Sequence, residues 1–246
     1  MRLKKDIIVT GLDIGSSKTT AVSARIGSGG TFEVLGVAAQ PSKGVSRGML
    51  VDLGEATDVV SKTLRKLREK TGRKPEKLYV NISGQTVKAS RSVGMIPLAL
   101  RGREVVRPDM DRCVTAASTI HLPFDREIIH RIVHNFSVDD QPWIKNPLGL
   151  YASRLSCEVY ILTADVNHIQ SIYKCVNDAG YDVREIVFTG LADGAILLDK
   201  SQKEEGAALI DIGDSLTEIS IFSGGVLSGI DIIAFEPGNL KDDFKM

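Results

Sequence analysis

The sequence predicts an α/β fold in which one lobe is interrupted by an inserted small α+β subdomain and is followed by the incomplete start of a second lobe. Three observations predict it. Apolar, β-branched runs alternate with an amphipathic helical stretch near the N-terminus, the texture changes between residues 85 and 164, and a pattern of strand, Asp-Ile-Gly, polar turn and strand occurs once near residue 13 and again near residue 211. A chain of 246 residues, 43% of them hydrophobic, is long enough to bury a core.

Ile7 to Ile14 is a strand-like run, and Thr19 to Ile26 and Phe32 to Ala38 follow as two more, with a glycine-rich turn at Gly27 to Gly30. Asp52 with Glu55 three residues later is a helix start; Ala56, Val59, Val60, Thr63, Leu64 and Leu67 then fall at helical spacing up to Gly72. The opposite face, Lys62, Arg65, Lys66, Arg68 and Lys70, is expected to be solvated. Lys77 to Gly84 is a short strand ending in small residues, as strands do where they stop at a cleft. The next stretch offers alternating segments near Val87 to Ile96 and Ile128 to Val138 around a helix from Pro108 to Ile120. Asp165 then caps a helix with the stripe Ile169, Ile172, Tyr173 and Val176, and Val183 to Phe188 is a strand. Leu191 to Leu198 reads as helix, Lys200 to Gly206 as a charged link, and Ala207 to Asp211, Leu216 to Phe222 and Val226 to Ala234 as three strands. The expected division is residues 1–84 and 165–199 for the first lobe, 85–164 for the insert, and 200–246 for the start of the second lobe.

Lysine plus arginine and aspartate plus glutamate are both 31, so no net field draws the chain to nucleic acid. Cys113, Cys157 and Cys175 lack metal-ligand spacing and suit a reducing, cytoplasmic setting. The apolar run after the basic residues 1–5 meets Asp13 too soon for a membrane segment or signal. His130 and His134 lie in a strand-like run rather than a metal cluster, and His121 and His168 are isolated. Trp143 beside Pro142 reads as a packed turn, and Arg91, Arg101, Arg103 and Arg107 as solvated.

The chemistry is carried by the repeated hairpin. Glycine after a strand lets the main chain approach a phosphate closely, and the amides and hydroxyls that follow can donate to its oxygens. Asp13 or Asp211 at the strand ends would hold a hydrated magnesium ion, and Lys18 adds a positive charge. One such segment is an ordinary polar hairpin; two at corresponding positions, GLDIGSSKTTAV from Gly11 and ALIDIGDSLTEISIF from Ala208, point to a shared phosphate site.

Two such hairpins with a lobe between them resemble the superfamily of actin, sugar kinases and DnaK-type chaperones, whose lobes are ribonuclease H-like. Within it, PSKGVSRGMLVDL at Pro41 to Leu53, YVNISG at Tyr79 to Gly84 and IKNPLGL at Ile144 to Leu150 resemble segments of the FtsA family of cell-division proteins, in the same order. The resemblance implies an actin-like lobe, an FtsA-type insert serving contacts between protomers and with division proteins, and binding of ATP with magnesium. By position, Asp13, Gly15, Ser16, Ser17 and Lys18 match the first phosphate loop, and Asp211, Gly213 and Thr217 the retained part of the second. It implies a self-associating assembly protein, at most a weak ATPase, in the cytoplasm and at the division site or inner membrane face through partners. An FtsZ-type ring protein would be a partner in the full-length family, which places that region, the adenosine motif and a membrane-binding helix beyond the end of this sequence. The family's second loop is Asp-Ile-Gly-Gly-Gly-Thr-Thr-Asp, whereas here Asp214, Ser215 and Leu216 follow Gly213, which weakens nucleotide binding unless magnesium bridges the added charge. Three alternatives share these residues: a sugar-kinase-type phosphotransferase, for which Asp193 is the nearest carboxylate; a pilus-assembly relative; and an interaction module that binds no nucleotide.

Overall fold

The computed structural model describes residues 7–27, 31–99 and 101–234. The basic stretch 1–5, positions 28–30 of the glycine turn and the tail from Pro237 lie outside them. The chain opens with an antiparallel meander, β1 (Ile7–Ile14), β2 (Lys18–Ile26) and β3 (Phe32–Pro41). A two-residue pair, β4 (Val45–Ser46) and β5 (Met49–Leu50), leads into α1 (Leu53–Thr71). Asp52 caps α1 by accepting the Glu55 N–H at 2.9 Å, and Gly72 closes it at φ 68°. The helix lays Val60, Leu64 and Leu67, all fully buried, against β2 and β3. Each such leucine contributes about 1.5–3 kcal/mol by leaving water. The basic face of α1 is exposed, as expected. β6 (Lys77–Ile82) then pairs parallel to β1.

The insert holds β7 (Lys88–Pro97), β8 (Arg103–Glu104), α2 (Arg107–Ser118), β9 (Arg126–Val138), β10 (Gln141–Ile144), β11 (Tyr151–Ala152) and β12 (Arg154–Asp165). Its main sheet runs β10-β9-β12-β7, and α2 packs on β7 and β12. β12 has no counterpart among the sequence expectations, because its residues Val159 to Ala164 are a continuous buried run rather than an alternating one. The run is buried on both faces: Leu155, Cys157, Val159 and Ile161 enter the insert's own core with α2, while Tyr160, Leu162 and Ala164 enter the core of the first lobe. One strand thereby welds the insert to its host.

Two surface expectations change here. Arg103 is not simply solvated; it grips buried Asp109 through two hydrogen bonds of 2.7 and 2.6 Å, which holds the Asp109 carboxyl below its usual range. Trp143 is not packed: it stands at φ 65° with 75% of its surface exposed.

After the insert come α3 (Val166–Asp178), β13 (Asp182–Phe188), α4 (Thr189–Leu197), α5 (Lys200–Glu205), β14 (Ala207–Ile212), β15 (Leu216–Ser223) and β16 (Val226–Ala234). The expected charged link is instead the short helix α5, made by a reciprocal cap in which Asp199 accepts from the Gln202 N–H at 2.8 Å and Gln202 from the Asp199 N–H at 2.9 Å. β13 adds parallel to β6, giving the five-stranded order β13-β6-β1-β2-β3, and β14-β15-β16 form a separate antiparallel sheet. What brings that sheet onto the first lobe is α4. A Cβ at Gly190 would stand 1.9 Å from Ser220 Oγ, and one at Gly194 2.1 Å from Phe222 Cζ, so only glycine lets β15 lie this close to the helix.

Candidate functional site

The two repeated hairpins have the same turn. The Gly15 N–H donates to the Lys18 carbonyl at 3.1 Å, and the Gly213 N–H donates to the Leu216 carbonyl at 2.9 Å. A Cβ at either glycine would press on that same carbonyl, at 2.9 and 3.0 Å respectively, so the glycines are set by the turn itself. Both turns face one cleft of about 860 Å³. Of the residues expected at a site, Asp13, Gly15, Ser16, Ser17, Lys18, Asp211 and Gly213 line it; Thr217 does not, sitting half-buried on β15 opposite Ile212. The cleft also takes Asn81, Ser83 and Thr189, which sequence reasoning did not assign to it, and Asp193, which it named only as the nearest carboxylate for a phosphotransferase. Asn81 was legible only as a polar residue at the cleft end of β6.

Asn81 fixes the first turn. Its Nδ2 donates to Asp13 Oδ1 at 2.7 Å and its Oδ1 accepts the Ile14 N–H at 2.8 Å, so one amide orients both the carboxylate and the backbone beside it. The cleft is strongly acidic. Burial and the facing Asp211 push the Asp13 carboxyl up, with Lys18 pulling the other way. Asp193 is pushed up to about 6 by burial, then by Asp211 and Asp13. Behind the cleft, Glu218 is buried and pushed up to about 7, burial leading, against a hydrogen bond from Ser83. Lys18 is the one cationic side chain among the described residues lining the cleft.

This donor set is all oxygen, which suits a hard cation such as magnesium. No three described carboxylates, histidines or cysteines converge to hold a metal directly, so such an ion would keep most of its waters, and its charge would relieve the repulsion between Asp13 and Asp211. Two of the histidines have structural neighbours instead: His130 Nε2 accepts the Phe188 N–H at 2.9 Å, and the His134 ring meets Tyr160 edge-on.

Comparison with known proteins places this geometry. A family model described as the SHS2 domain inserted in FtsA matches residues 84–163. The cell division protein FtsA of Pseudomonas aeruginosa is 30% identical over 97% of this chain and 57% of its own length. That of Borreliella burgdorferi is 34% identical over 89% of this chain and 53% of its own, and that of Escherichia coli 27% over 96% and 56%. Among solved structures, the PilM-PilN type IV pilus biogenesis complex matches with a TM-score of 0.64 at 15% identity, covering 97% of this chain and 66% of that one. The ethanolamine utilization protein EutJ from Carboxydothermus hydrogenoformans matches at 0.53 and 12%, covering 97% and 57%. These structures share the fold, an actin-like lobe with the opening of a second, and at such identity they speak to the fold alone. The chain spans about half the length of the curated relatives it matches. With a match to the FtsA-type insert at residues 84–163 and FtsA relatives along nearly its whole length, the chain is similar to part of the FtsA cell-division proteins, about half of their length.

Proposed function

We propose that the chain is an ATP-responsive assembly protein of cell division, whose cleft takes the phosphates of ATP with magnesium between its two turns. The observation that carries this reading is the matched pair of glycine turns opening on a single cleft. The amides and hydroxyls of Gly15, Ser16 and Ser17 and of Gly213 and Ser215 would donate to phosphate oxygens, with Lys18 as counter-charge. Asp13, held by Asn81, and Asp211 would accept from the waters of magnesium, whose bound charge offsets that of the phosphates and of Asp214. Self-association and binding of other division proteins are proposed for the insert, on the support of Trp143 and Tyr151, each 75% exposed, and Leu148 at 49%. FtsZ tethering is proposed only for the longer family architecture. Titration of a fluorescent ATP analogue with magnesium tests the nucleotide reading. Asp13→Ala should weaken binding about tenfold or more, and equal binding by both chains would remove Asp13 from the site.

A second reading has one observation in its favour. Asp193 lines the cleft with a carboxyl near neutrality, which suits a general base for phosphotransfer. Its support would be a magnesium- and ATP-dependent phosphorylated product that Asp193→Asn abolishes; turnover untouched by that change would end it.

A further inference from the structure

The GVSRG segment, Gly44 to Gly48, carries part of the family resemblance, yet the phosphate turns alone leave it without a task. In the structure it is a tight hairpin between β4 and β5 whose two loop residues, Arg47 and Gly48, both have left-handed φ, 50° and 72°. Arginine is an unfavourable choice for such a loop, and a residue held there persists only where its surroundings fix it.

Those surroundings are the two turns. The Arg47 N–H donates to Ser215 Oγ at 3.0 Å, and the Gly48 N–H donates to Ser16 Oγ at 3.3 Å, so adjacent amides of one strap reach one serine in each opposed turn. Both serines and Gly48 line the cleft. The strap is also wedged at its tip: a Cβ on Gly48 would lie 3.0 Å from both the Gly84 nitrogen and Leu216 Cδ2. Behind it, the buried His168 ring lies across a small cavity that Gly48 also lines, and meets Thr86 Oγ1 at 2.7 Å through Nδ1. Thr86 stands at the root of the insert, where its carbonyl accepts from Arg126 of β9 at 2.9 Å.

We propose that the Arg47-Gly48 strap, backed by His168, is the positioning element for the two serine donors of the cleft, and that it ties their occupancy to the root of the insert. This rests on the nucleotide reading above. A hydroxyl has one proton and two lone pairs. When a strap amide occupies a lone pair of Ser16 or Ser215, the hydroxyl proton remains to be donated into the cleft. The strap thus aims both donors at once, and a phosphate that accepts from both fixes the strap. His168 is a positioning residue acting through Gly48; it does not touch the ligand.

The test pairs titration of the fluorescent ATP analogue with hydrogen exchange at the Arg47 and Gly48 amides. In the unaltered chain the analogue with magnesium should slow exchange at both amides. His168→Ala should weaken binding about fivefold or more and speed exchange at both amides before ligand is added. His168→Gln, which keeps one donor and one acceptor, should restore both readouts, and Thr86→Val should reproduce part of the alanine effect. A fall in thermal midpoint with affinity and exchange unchanged would mean that His168 merely packs, and would overturn the positioning role alone. An unaltered chain that binds no analogue would overturn the nucleotide reading and the positioning role with it.

Discussion

Ser83 at the end of β6 donates to Glu218 on β15 at 2.6 Å, a half-buried hydrogen bond that joins the first lobe to the start of the second. Glu218 is only 1% exposed and keeps its proton to about pH 7, because burial is joined by the nearby Asp211 and Asp193. A carboxyl whose folded pKa lies above its ordinary 4.5 stabilises the fold fully below that value, and the contribution is lost as pH rises through about 7. Replacing it with glutamine, which keeps an acceptor for Ser83 and cannot ionise, removes the dependence. Between pH 5 and 8, on the order of 3 kcal/mol of stability should be lost by the unaltered chain relative to Glu218→Gln. Parallel thermal-midpoint curves for the two would mean that Glu218 ionises freely in the fold.

Gly194 permits the close approach of α4 and β15, with room for no Cβ beside Phe222. Gly194→Ala should cost about 1–3 kcal/mol by overpacking and should open the junction between the first lobe and β14-β15-β16. Limited proteolysis should then cut the 199–206 connection faster while the insert stays resistant. A variant as stable and as resistant as the unaltered chain would show that the lobes are held otherwise.

β12 shares its side chains between two cores, Ile161 in the insert and its neighbour Leu162 in the first lobe, both fully exposed to packing and not to water. Ile161→Ala and Leu162→Ala should each cost about 2–5 kcal/mol, and each should lower a single cooperative unfolding transition. Two separated transitions in either variant would mean that insert and lobe fold independently.

Much of this was legible in the sequence where a local pattern carries the information. The strands of the opening meander, the stripe of α1 and its Asp52 cap follow from alternation, helical spacing and capping chemistry. The repeated Asp-Ile-Gly pattern pointed to both turns before their common cleft was seen. β12 was missed because a strand buried on both faces loses the alternation by which strands are recognised. Asn81 and Glu218 were missed for another reason: each reaches its neighbours from a different element, Asn81 meeting Asp13 across 68 residues and Ser83 meeting Glu218 across 135. No local spacing encodes such a meeting. Thr217 shows the converse, a residue carried over by position from a family pattern that is not among the residues lining the cleft here.

The turns after Asp13 and Asp211 are proposed to receive one triphosphate together. Amide chemical shifts of Gly15, Ser16, Gly213 and Asp214, followed while a non-hydrolysable ATP analogue and magnesium are added to the unaltered chain, decide this. All four should move along one shared saturation curve, and Asp211→Ala should weaken the response at Gly15 and Ser16 as much as at Gly213. Shifts confined to one turn, or two curves with different midpoints, would contradict it.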